Sequence, residues 1–188
     1  MMSFRGERLR SFVLPTSTAW LLNDIAESKG RQELFTKQSP QILRALRETA
    51  LLQSVESSNR IEGVTVEPDR LRPLVIGTAK PRDRSEQEIL GYREALNLIH
   101  TRSTHLTFST DVFRQLHRTC QEGAGDAGEW KQIDNDIIEF RPGEPPRVRF
   151  RPVRLTESPS ATQELCVSYE HTWSQSVAPP LFVIAALI

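Results

Sequence analysis

Scarce cysteine, no surplus of either charge and no long apolar run characterise this sequence, and each shortage closes off a class of function. The 188 residues include two cysteines, Cys120 and Cys166, which form no short-spaced metal or redox motif. Both fall on apolar helical faces, which favours buried free thiols over a disulfide. The four histidines, His100, His105, His117 and His171, include no His-x-x-x-His pair, so the usual helical zinc spacing is missing. Lysine and arginine total 24, as do aspartate and glutamate, so no global field selects nucleic acid or an anionic membrane. The longest apolar run, "LFVIAALI", covers residues 181 to 188, far short of the roughly 20 residues of a membrane span. The opening "MMSFRGERLRSFVLP" has basic residues but no apolar core before a small-residue cleavage site. The expectation is a soluble, cytoplasmic protein whose present segment engages neither membrane nor nucleic acid.

What is present is mostly helical pattern. After an irregular arm over residues 1 to 16, "STAWLLNDIAESKG" predicts a helix with Ser17 or Thr18 as N-cap and Gly30 as its stop. Trp20, Leu21, Ile25 and Ala26 form its apolar face. The next helix has Ser39 as cap and Pro40 at the first helical position. Its stripe is Ile42, Leu43, Leu46, Ala50 and Val55, and it runs to about Ile61. Three prolines make residues 65 to 84 mainly connection, with room for one short helix. Ser85 and Glu88 read as a capping box opening a helix through "EILGYREALNLIH". Ser109 or Thr110 caps another, with Phe113, Leu116, His117 and Cys120 on one face. From Trp130 to Val153, two short extended runs around "RPGEPPR" predict a β-hairpin. Helices over "SATQELCVSYEHTWSQ" and "APPLFVIAALI" follow. The last has no cap and no polar ending, so burial on every side is expected, as is a place in the front part of a longer protein.

One position breaks a local rule. A helix C-terminus carries partial negative charge and favours basic residues in its last turn. In "SSNRIEG", residues 57 to 63, the last turn instead holds Glu62, followed by Gly63, a residue suited to a left-handed cap. Ser58 lies one turn earlier on the same face. A surface pair with Arg60, Arg70 or Arg72 is the plain alternative for this carboxylate.

Ser58, Asn59, Arg60, Ile61, Glu62 and Gly63 match in order the pattern [Ser/Thr]-x-x-x-Glu-[Gly/Asn]. Further along come Leu116-His117 in a helix ending at a Gly-rich turn, a hairpin after "GEW" that closes on "RFRPV", and the helix "PPLFVIAAL". Together these features resemble the Fic (Fic/DOC) family over residues 15 to 188. Most of its characterised enzymes transfer AMP from ATP to a protein hydroxyl. The resemblance implies a mainly α, Fic-like helical bundle with one β-hairpin flap, incomplete at its C-terminus. Residues 1–16 would be an arm, 17–80 the N-terminal region with an inhibitory helix, and 81–188 the first part of the core. Ser58, Glu62 and Gly63 would be the inhibitory end. Asn135, Asp136, Ile137, Ile138, Arg149 and Phe150 would be the flap that docks a target. In relatives the glutamate pairs with a signature arginine and keeps the nucleotide's terminal phosphate from its productive place.

The sequence departs from the family in one large respect. The signature His-Pro-Phe-x-x-Gly-Asn-Gly-Arg is absent, and no stretch forms a Gly-rich phosphate loop. Lys131 stands where many relatives have arginine, and Val153 replaces a proline. ATP and Mg are therefore expected only for the complete protein, with no catalytic residue and no metal site in this chain. A protein substrate is the expected partner, and a homodimer is open. The rival readings are a non-enzymatic, antitoxin-like helical module and a DNA-binding regulator. His117 reads as a packed helical histidine rather than a base. Asp134, Asn135, Asp136 and Glu139 read as a solvated strand rather than a metal site, since alternation points them to opposite faces.

Overall fold

A computed structural model describes residue 4 and residues 8–35 and 39–187. The described residues form seven α-helices and one two-stranded antiparallel sheet. Part of the expected arm, residues 1–3 and 5–7, lies outside them. The chain divides into two compact units, Ser11–Leu96 and Met1–Arg10 with Asn97–Ile188, and the boundary falls inside one helix.

In the first unit, α1 spans Thr16–Phe35, α2 Pro40–Ile61 and α3 Pro68–Ile76, while α4 begins at Arg84 and ends at Arg102. The start of α2 follows its sequence signals: Pro40 opens it and the Ser39 hydroxyl accepts from the Ile42 N–H at 3.4 Å. α1 corrects the expectation at both ends. It starts at Thr16 and continues through Gly30 to Phe35. A helical glycine costs only about 1 kcal/mol against alanine, so it weakens a helix without ending it. α4 corrects it too. The Asp83 carboxylate, rather than Ser85, accepts the Glu86 N–H at 2.8 Å.

Val55, Leu74, Val75 and Ile89 are the buried core of this unit, with Leu51, Val64, Leu71 and Tyr92 packed around them. Each such side chain contributes about 1.5–3 kcal/mol when fully buried. Only the second half of α2 takes part. Ile42, Leu43 and Leu46 are exposed, as are Trp20, Leu21 and Ile25 of α1, so the stripe expected along the whole of α2 is buried only near its end.

The core carries one buried charge. Glu86 is 5 % exposed. Its two carboxylate oxygens accept from Arg70 Nε at 2.8 Å and Nη2 at 2.6 Å, and the Arg82 N–H adds a third bond at 2.9 Å. The arginine above all, with the backbone donor, holds the Glu86 carboxyl down at about 2.

In the second unit, α5 spans Thr110–Cys120, β1 Ile137–Glu139 and β2 Arg147–Phe150; α6 follows at Ser158–Ser174 and α7 at Pro180–Ala185. Ser109 caps α5, accepting from the Val112 N–H at 3.4 Å. Phe108 meets Phe113 edge-on at 4.8 Å and Tyr169 at 4.1 Å, and Tyr169 stacks on Trp173 at 5.8 Å. Cys120 is half-buried and Cys166 buried, both are free, and burial pushes both thiols up. α7 is less enclosed than its composition predicts: Val183 is buried, whereas Leu181 and Ile184 are exposed. A six-residue helix lying on α6 has one covered face.

His117 also departs from expectation. It is exposed rather than packed, and its Nδ1 accepts the Gly128 N–H at 3.0 Å. Arg114 Nε donates to the Gly128 carbonyl at 2.8 Å. Gly128 has φ +78°, and a Cβ there would lie 2.9 Å from Arg118 Nε and 3.1 Å from the Arg114 carbonyl. Two residues of α5 thus grip one glycine by both its backbone groups while a third closes over it. Gly128→Ala should destabilise the protein by about 2 kcal/mol, combining left-handed strain with overpacking; urea unfolding checks this.

Candidate functional site

The end of α2 is built from its last residues outward. Glu62 is the C-cap, with φ −82° and ψ 4°. Gly63 follows in the left-handed region at φ +79°. The Gly63 N–H donates to the Arg60 carbonyl at 3.1 Å, and the Val64 N–H to the Asn59 carbonyl at 2.8 Å. These two bonds are a Schellman motif, which satisfies carbonyls that the ending helix leaves open. Val64 then packs on the core, so the cap is anchored by apolar burial as well. Gly63→Ala should cost about 1–2 kcal/mol from backbone strain alone, because a Cβ there meets nothing within 4 Å; thermal unfolding reads the effect.

This geometry leaves the Glu62 side chain exposed. It has no ion pair among the described residues, and of the three arginines offered as its surface partners Arg70 and Arg72 are bound to other acids. Arg60 lies 3.9 Å from Glu56, Arg70 holds Glu86 at 2.6 Å, and Arg72 holds Glu48 at 2.7 Å. The plain alternative for Glu62 therefore has no counterpart in the structure. Ser58 is half-buried one turn back, and its Oγ accepts from the Tyr92 hydroxyl at 2.9 Å. Asn59 is buried, with its amide donating to the Val55 carbonyl at 2.8 Å.

The expected flap residues lie in and beside the hairpin. Ile137 pairs with Phe150, Ile138 with Val148 and Glu139 with Arg147, with an irregularity between Ile137 and Ile138. Ile137, Ile138, Arg149 and Phe150 are exposed, as are Asn135 and Asp136 just before β1. The structure brings Ile137 and Phe150 together across the ladder, and it leaves Arg149 without an ion pair among the described residues. Among the same residues the sheet has two strands, so each strand keeps one outer edge open to an extended segment. Lys131 donates to the Val153 carbonyl, tying the base of the hairpin.

The acidic run of the hairpin is spent on internal partners. Asp134 accepts the Leu155 N–H at 2.6 Å, Asp136 lies 3.6 Å from Arg151, and Glu139 binds Arg141 at 3.1 Å and Arg147 at 2.9 Å. Each of those carboxylates has a partner within the chain, and the sequence has no Gly-rich phosphate loop.

Sequence reasoning missed three features of this unit: the Tyr92 bond to Ser58, the Arg70–Glu86 pair and the Asp83 cap. The cap was legible, since Asp83 and Glu86 have the spacing of a capping box. The other two join positions far apart in the chain and leave no local signal. No protein-family model matches the sequence, and no curated protein matches it. Among the described residues no helix is long and apolar enough to cross a membrane.

Proposed function

We propose that this chain is the regulatory and target-docking part of a Fic-type protein adenylyltransferase, with a Fic-like helical bundle and a flap hairpin, working in the cytoplasm. The observation that carries the reading is the presentation of Glu62. A Schellman cap fixes the helix end, and the Glu62 carboxylate is exposed, while Arg70 and Arg72 are paired with other acids. A carboxylate set at a helix C-terminus against the dipole loses about 0.3–1 kcal/mol. A charge-assisted pair with an incoming guanidinium is worth about 1.5–3 kcal/mol. The position is favourable only once such a partner arrives. In the family that partner is an arginine of the catalytic signature, and Glu62 then neutralises it and adds negative charge beside the nucleotide's terminal phosphate. Ser58, Glu62 and Gly63 form the inhibitory end in this reading. The hairpin, with the exposed pair Ile137 and Phe150, docks an extended target segment by edge pairing.

ATP carrying a labelled α-phosphate tests the assignment. The chain alone incorporates no label into itself or other proteins, because it lacks the signature. The same chain joined to a signature-bearing Fic core, with Glu62 replaced by glycine, labels protein hydroxyls. Labelling by the chain alone, or none by the joined form, overturns the proposal.

A further inference from the structure

The bond between Tyr92 and Ser58 links the core to the inhibitory end. Tyr92 sits on α4 with its ring packed against the buried cluster of Val55, Leu74, Val75 and Ile89. From there its hydroxyl donates to Ser58 Oγ at 2.9 Å. Ser58 has no other hydrogen-bonding partner for its side chain among the described residues, so its own proton is left to donate. Glu62 lies four residues on, the spacing that places two side chains on one helix face. A hydroxyl that accepts one hydrogen bond becomes a stronger donor of the next.

We propose that Tyr92 is the positioning residue of the inhibitory end: its hydroxyl holds Ser58 so that the Ser58 proton is directed along the helix face that carries Glu62. Ser58, held in this way, is then left to donate toward Glu62 when that acid meets its guanidinium partner. The Tyr92–Ser58 bond is observed; the step from Ser58 to Glu62 and its consequence rest on the Fic reading. Tyr92 can do this because its ring is fixed by apolar packing before the hydroxyl is used, so little freedom is lost when Ser58 is engaged.

The test is Tyr92→Phe, which keeps the ring and deletes only the hydroxyl, with Ser58→Ala as the second variant should packing around the ring respond. Hydrogen exchange on this chain is the first readout. Amides of Glu62, Gly63 and Val64 should exchange about fivefold faster in either variant, as losing one neutral hydrogen bond implies, while amides at the core of α4 are unchanged. Unchanged exchange at the three amides overturns the proposal. Auto-modification in the signature-bearing form is the second readout. Tyr92→Phe should raise it about fivefold and add nothing in a Glu62→Gly background, whereas simple destabilisation would lower it in both. Faster exchange without that rise, in a protein that Glu62→Gly does activate, overturns the role of Tyr92 and leaves the functional reading standing. If Glu62→Gly itself changes nothing, the functional reading fails and the consequence drawn for Tyr92 fails with it.

Discussion

Replacing Glu62 by glycine in a form that carries the Fic signature should raise auto-modification by roughly tenfold to a hundredfold, the rate equivalent of a pair worth about 1.5–3 kcal/mol. The effect is large because this carboxylate has no ion pair among the described residues: Arg70 and Arg72 are bound to other acids. It should not come with lost stability. Glu62 is exposed and contributes nothing to the buried cluster, and the cap depends on Gly63 and on backbone bonds from Gly63 and Val64. Replacing Ser58 by alanine should act in the same direction and more weakly, since it removes a helper rather than the charge. Raising the salt concentration should mimic a mild form of Glu62→Gly, because exposed charges are screened within about 10 Å at 0.1 M. Incorporation of label from ATP, measured against time, gives all of these rates.

The second large effect concerns stability and lies in the buried pair. Arg70→Met should lower the melting temperature by about 10 °C or more, because it strands the buried Glu86 carboxylate without its main partner. The double variant Arg70→Met with Glu86→Leu should recover most of the loss, since a buried pair can often be exchanged for apolar packing. The pH dependence has a definite sign. The ordinary value of this carboxyl is 4.5 and the folded value is about 2, so the unfolded chain takes up the proton first as pH falls. The pair's contribution is fully present above about pH 4.5 and is lost as pH drops through about 2. Arg70→Met should remove that stretch of acid sensitivity, which thermal melts in steps from pH 6 to pH 2 would follow.

How much of this was legible depends on whether the signal was local. The start of α2 was readable because Ser39 and Pro40 act within one turn, and its end because Gly63 is needed where φ turns positive. The cap of α5 at Ser109 and the hairpin around "RPGEPPR" were readable for the same reason. Signals that depend on distant neighbours misled. Gly30 looked like a stop, but nothing nearby forces a left-handed residue there, and α1 runs on. Ile42, Leu43 and Leu46 have helical spacing yet stay exposed, since periodicity shows which face is apolar and cannot show whether anything covers it. His117 shares that limitation: its spacing placed it with Phe113 and Cys120, while its ring holds the backbone of Gly128. At the candidate site, the motif from Ser58 to Gly63 was visible. The hydroxyl of Tyr92 and the commitment of Arg70 and Arg72 to other acids became visible only with the fold.

Glu62→Gln is the most direct test of the central claim, because it keeps the size of the side chain and removes only its charge. Auto-modification of the signature-bearing form should rise about tenfold or more over the unsubstituted protein, approaching the level of Glu62→Gly. A rate equal to that of the unsubstituted protein would contradict the claim that the charge on Glu62 restrains a guanidinium.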